Sequence, residues 1–133
     1  MPSLHAAGRF ETSHHPLPAL LEEPGATLGL MRVDKAFTGE LVGKSSVWMS
    51  YHRSKTDPAC ATYVALERIQ ARIGERSGSF VVAHLGLRGP GLESLELPIA
   101  AGSGTGDLAG ISGRMEIVVS EGEHAYRLDA QLP

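Results

Sequence analysis

Along most of the chain apolar and polar side chains alternate with period two, and each alternating stretch is bounded by Gly, Pro, Ser or Asp. That is the signature of half-buried strands, whereas an amphipathic helix repeats its apolar positions every three or four residues. No window offers a long helical stripe. The pattern predicts strands near 8–13, 28–38, 44–53, 61–73, 77–88, 92–101, 107–119 and 123–132, with 14–26 as a loop carrying one helical turn around Ala19–Glu22. Strands joined mostly by short turns make an antiparallel meander, and closing the meander into a barrel removes two open edges. A weak internal echo agrees: the run Phe37 to Gly43 returns at Thr105 to Gly110, and Ile69 to Gly74 keeps its apolar and small positions. The expected fold is all-β, a closed eight-stranded antiparallel up-and-down barrel with a short N-terminal loop segment. One domain is expected over 1–133, with its core at about 8–132.

Hairpin registers follow from asking which centre lets both strands agree on an apolar face, because a one-residue slip exchanges the faces. Centring the last hairpin on Glu121-Gly122 puts Met115, Ile117 and Val119 on one face with His124, Tyr126 and Leu128. The other face then pairs Glu116 with Arg127 and Arg114 with Asp129, opposite charges across the strands. In the middle of the chain, centres at Leu41, Asp57, Glu75-Arg76 and Pro90 place Lys35, Val47, Glu67, His84 and Glu96 in one layer. Met31, Val33, Phe37, Met49, Tyr51, Tyr63, Ile69 and Phe80 surround that layer on the same face. The opposite face collects Val64, Leu66, Ala83, Leu85, Leu95 and Leu97. A patch of that kind on a soluble protein calls for a cover. The N-terminal segment Leu17 to Leu21 is one candidate. A second or third copy of the chain, with Leu66, Leu85 and Leu95 near the interface, is the expected one.

Composition narrows the function classes. The 133 residues are 42% hydrophobic and 20% charged, which excludes a wholly disordered chain. The net charge of -3, without a basic block, argues against a nucleic-acid or anionic-membrane partner held by charge. A single Cys60 excludes a disulfide framework and a thiolate-rich zinc site. No apolar run approaches the ~20 residues that span a bilayer, and Met1 to His5 lacks the features of a secretory signal. A cytoplasmic protein is expected.

Most motif-like runs have structural readings. Gly43-Lys44-Ser45 lacks the upstream glycine of a P-loop, since position 38 is Thr and Gly39 is one residue too close. The Gly102 to Gly106 run reads as a turn rather than an anion-binding nest, because no helix follows it. His14 and His15 are adjacent and point to opposite sides of a strand, so they do not chelate together. His52, His84 and His124 fall on different strands without zinc-like spacing. Glu67, His84 and Glu96 form a conceivable but minor metal set. No metal and no cofactor are expected.

Three runs together carry a family resemblance: Tyr63 to Arg68, Gly74 to His84, and Ala101 to Ile111. On these the chain resembles a bacterial family of unknown function, itself similar in fold to allene oxide cyclase, over roughly residues 8–132. It departs from the family at Ala65 and Ala71, where glycines are usual, and at His14-His15, where a tryptophan is usual. The resemblance implies the closed barrel and an oligomeric, cyclase-like relative.

The layer of Lys35, Glu67 and His84 is the one constellation with chemical content. A carboxylate inside an apolar barrel costs several kcal/mol unless it is paired or protonated. Such a group serves acid–base chemistry or acts as a structural ion pair that fixes register. The leading expectation is a cofactor-independent isomerase or cyclase acting on a small apolar or oxygenated molecule. Glu67 is its acid/base or charge stabiliser, His84 the partner and Lys35 the electrostatic tuner. Tyr51, Tyr63, Met49, Phe80 and Glu96 bind the substrate. A non-catalytic carrier and a barrel filled by its own side chains, serving only for assembly, are the alternatives.

Overall fold

The computed structural model describes residues 2–133. Its strands are β1 (Ser3–Pro16), β2 (Leu21–Glu22), β3 (Ala26–Gly39), β4 (Leu41–Ser54), β5 (Ala61–Ile73), β6 (Arg76–Gly89), β7 (Leu92–Glu96), β8 (Ser112–Ser120) and β9 (Glu123–Gln131). They pair antiparallel in the order β7-β6-β5-β4-β3-β1-β9-β8, with the two-residue β2 lying against β3. The segment after β7 reaches β8 through the Ile99 N–H to the Gly113 carbonyl and the Met115 N–H to the Leu97 carbonyl, both 2.9 Å. The result is a nearly closed eight-stranded antiparallel barrel, as the alternation predicts. No helix among the described residues is long and apolar enough to cross a membrane.

Four elements differ most from the sequence reading. β1 runs from Ser3 to Pro16 rather than over 8–13, because it pairs with both β3 and β9. The helical turn expected at Ala19–Glu22 is instead the extended β2. The strands expected over 92–101 and 107–119 stop at Glu96 and start at Ser112. Gly102, Gly106 and Gly110, all at positive φ, turn the chain between them. The glycine-rich run folds onto β6, where the Thr105 N–H donates to the Ser79 carbonyl at 2.8 Å and Ser103 Oγ accepts from the Val81 N–H at 2.9 Å. It thus carries Leu108 and Ile111 into the barrel end as fully buried plugs.

Side-chain volume divides the interior. Phe10, Phe37, Leu41, Ile69, Phe80, Tyr126 and Leu128 fill one half together with the plug. Among the described residues, the buried apolar residues of the other half are Val33, Val47 and Ala65, with Met31, Met49 and Tyr63 packed against them.

The outer face carries the expected Glu116–Arg127 pair at 2.7 Å. Val64 and Leu66 are exposed there, and Leu85 is partly so, whereas Leu17, Leu20 and Leu21 are themselves exposed and cover nothing. Two members of the expected outer patch are corrected. Leu97 is buried inside, and Leu95 pairs with the inward Gly86, so neither shares the face of Leu66 and Leu85.

Candidate functional site

The inward faces stack in rows across the strands. From the open end downward, the first row is Arg53, Ala61, Arg88 and Glu93, and the second is Gly29, Tyr51, Tyr63, Gly86 and Leu95. Met31, Met49, Ala65 and His84 form the third row, and Val33, Val47, Glu67 and Val82 the fourth. Lys35, Ser45, Ile69 and Phe80 make the fifth.

The second row explains why this half is open. Tyr51 stands directly opposite Gly29, and Tyr63 directly opposite Gly86. A Cβ on either glycine would lie inside the van der Waals envelope of the facing tyrosine ring. Each ring therefore lies flat over a glycine against the wall. The space left is a cavity of about 440 Å³, bounded by Met31, Met49, Tyr51, Tyr63, Leu87 and Leu95, with Arg53, Arg88 and Glu93 at its mouth. That volume is within the usual range for small-molecule sites.

Beneath the cavity lies a buried polar centre. Glu67 is 1% exposed, His84 6% and Lys35 8%. Glu67 Oε1 accepts from Lys35 Nζ at 3.1 Å and from His84 Nε2 at 2.8 Å, and Oε2 accepts from Ser45 Oγ at 2.5 Å. The Lys35 ammonium also sits 4.6 Å from the centre of the Phe10 ring. Burial pushes the Glu67 carboxyl up. The His84 hydrogen bond, the Lys35 charge and the Ser45 hydroxyl outweigh burial and hold it below the usual glutamate value. An ionised carboxylate only accepts, so His84 Nε2 must carry the shared proton. In the neutral ring His84 Nδ1 is then an acceptor, and it lies 3.1 Å from Tyr63 Oη. Burial and the Glu67 charge push the Tyr63 hydroxyl up to about 12. A chain of hydrogen bonds thus runs from the cavity wall through Tyr63 and His84 to Glu67.

The structure brings Lys35, Glu67 and His84 together as expected but relates them differently. Glu67 pairs with Val82 and His84 with Ala65, so the two meet diagonally rather than face to face. Lys35 pairs with Ser45, one step below the expected Val47, and its long side chain still reaches Glu67. Val47 does pair with Glu67, as the Asp57 centre predicts. Of the expected substrate contacts, Tyr51, Tyr63 and Met49 line the cavity, whereas Phe80 is buried in the filled half. Glu96 pairs with Leu85 instead of His84, a one-residue slip that turns it to the outer surface. The conceivable metal set therefore does not assemble.

Sequence reasoning missed Ser45, although its parity with the inward Val47 and Met49 marks it as an inward hydroxyl. It also missed the glycines opposite Tyr51 and Tyr63. Their signal is a glycine at an inward strand position, which leaves room for a neighbour.

Fold and site together define the class: a nearly closed antiparallel barrel, half filled and half open, with a buried ion centre under the open half. Residues 6–129 match DUF3224, a family of proteins of unknown function, and the chain belongs to it. It is similar to a protein of unknown function from the same family in Shewanella oneidensis MR-1, known from a crystal structure. The two are 31% identical over 99% of each chain, with a TM-score of 0.90. No curated protein matches the chain.

Proposed function

We propose that the barrel binds a small, largely apolar molecule in its open half and transfers a proton to or from an oxygen of that molecule through Tyr63. The observation that supports this is the double position of Tyr63, which lines the cavity and hydrogen-bonds His84 Nδ1. Glu67 and His84 do not line the cavity, so the expected direct role of Glu67 passes to Tyr63. Tyr63 Oη would take a proton from a ligand hydroxyl as its own proton passes to His84 Nδ1, the carboxylate of Glu67 would stabilise the resulting imidazolium, and the reverse transfer would return the proton to a ligand oxygen. A cofactor-independent isomerisation or cyclisation of an oxygenated apolar substrate fits those resources, in line with the cyclase-like resemblance. The second reading is a carrier without chemistry, favoured by the fact that every member of the buried centre already has partners.

Neutral N-phenyl-1-naphthylamine, which fluoresces in apolar sites, tests the binding. One dye per chain should be taken up, and Ala61→Trp, which fills the cavity wall, should abolish the signal. Failure of the native protein to bind dye would overturn the proposal. With a substrate found by dye displacement, Tyr63→Phe separates the readings: an enzyme keeps binding and loses about 10²–10⁴-fold in turnover. Turnover unaffected by Tyr63→Phe would remove Tyr63 from the chemistry.

A further inference from the structure

The mouth of the cavity brings two arginines and a glutamate together. Arg53, Ala61, Arg88 and Glu93 face one another in a single row across β4, β5, β6 and β7. Neighbouring strands lie about 4.8 Å apart, so the two arginine backbones stand about 10 Å apart with only the alanine methyl between them. The Arg53 guanidinium is held over the Tyr51 ring, 5.3 Å from its centre. On the outer surface Arg9, Arg32, Arg114 and Arg127 each hold a carboxylate. Among the described residues Arg53 and Arg88, like Arg68, Arg72 and Arg76, hold none, even though Glu93 stands directly across from Arg88; what sets Arg53 and Arg88 apart is their place together at the mouth of an apolar cavity. The chain as a whole carries a charge of -3, yet its cavity mouth has two arginines against one glutamate. Below them Met31, Met49 and Leu95 supply apolar wall, with His14 the one imidazole on the inward face among the lining residues.

We infer that the ligand carries a single anionic head, a carboxylate or a sulfate, gripped between Arg53 and Arg88, with an apolar body pointing down toward Met31 and Met49. The inference rests on the ligand-binding reading above and adds the class of ligand. Two guanidinium forks converging on one oxyanion give charge-assisted bonds that a neutral head cannot make. From the arginine row to the methionine row is four residues along a strand, about 13 Å, which sets the reach of the body. The head stays at the solvent edge, so it avoids the desolvation cost of a fully buried charge, while the body reaches past Tyr63.

Titration calorimetry with decanoate, decyl sulfate and decanol, each below its micelle concentration, tests this on the native chain and on Arg53→Gln/Arg88→Gln. The native chain should bind at least one anion about tenfold or more tighter than decanol, a difference of about 1.4 kcal/mol. The double variant should lose that preference and keep its affinity for decanol. Both arginines are exposed, so the variant leaves the interior intact. Comparing decanoate with decyl sulfate identifies the head. Decanol binding as tightly as both anions, or an anion affinity that the double variant does not lower, would overturn the inference and leave the cavity reading standing. Failure of the native chain to bind any of the three would overturn both.

Discussion

Glu67 anchors the site, and its surroundings decide which protonation states the neighbours adopt. Three donors converge on a carboxylate that solvent barely reaches, so the charge is compensated where it is buried. Because its folded pKa lies below the ordinary value of 4.5, the carboxylate stabilises the fold above that pH. That contribution is lost as pH falls through the lowered folded value. Tyr63 works in the opposite sense. Its hydroxyl is pushed up to about 12 from 10.0, so the folded chain holds this proton more tightly than the unfolded one. Stability is therefore full below pH 10 and declines as pH rises toward 12. Absorbance at 295 nm, with circular dichroism confirming the fold, should show Tyr63 still protonated at about pH 11, and subtracting the Tyr63→Phe titration should isolate it from Tyr126, which burial also pushes up. A difference titration centred near pH 10 would contradict the buried contact with the Glu67 charge.

At the scale of the element, the β5–β6 hairpin holds the proton chain in place. Gly86 lets the Tyr63 ring lie flat, and the ring's position brings Oη to His84. Gly86→Ala should force the ring into the cavity, break the bond to His84 and cost about 1–3 kcal/mol, as overpacking usually does. Gly25→Ala, with nothing within 4 Å of the new methyl, is the control that should change little. Denaturant melts of both variants check this, and equal midpoints would show that Tyr63 adapts freely. The same hairpin shows what the sequence makes legible. Alternation alone assigns the faces, and Glu67, His84, Tyr51 and Tyr63 do share one side of the sheet. Rows depend on the turn. The reading centred on Glu75-Arg76 is two residues from the observed register, because Gly74 and Glu75 form the two-residue turn, with Gly74 at φ 62. An error of two keeps the face and shifts the row. The slip of one at Pro90 exchanged the face of Glu96. Nothing local in the sequence separates those two cases.

For the whole molecule, the division of the barrel into a filled and an open half governs the rest. Three phenylalanines, Phe10, Phe37 and Phe80, lie in the filled half, and the glycine-rich segment drives Leu108 and Ile111 into that end. Glycines and alanines at Gly29, Ala61, Ala65 and Gly86 thin the walls of the other half. The plug was not legible in the sequence, because Leu108 fits an alternating strand until Gly106 and Gly110 at positive φ turn it inward. The buried centre sits at the boundary, against the packed half, and Tyr63 links it by a hydrogen bond to the cavity. Four methionines report on this division: Met31 and Met49 line the cavity, Met115 is buried in the filled half, and Met1 is terminal. Methyl-labelled methionine NMR during titration with N-phenyl-1-naphthylamine is the most direct measurement. The Met31 and Met49 methyl resonances should shift to saturation together while Met115 stays in place. Binding that leaves Met31 and Met49 unmoved would place the dye elsewhere and contradict a ligand site in the open half of the barrel.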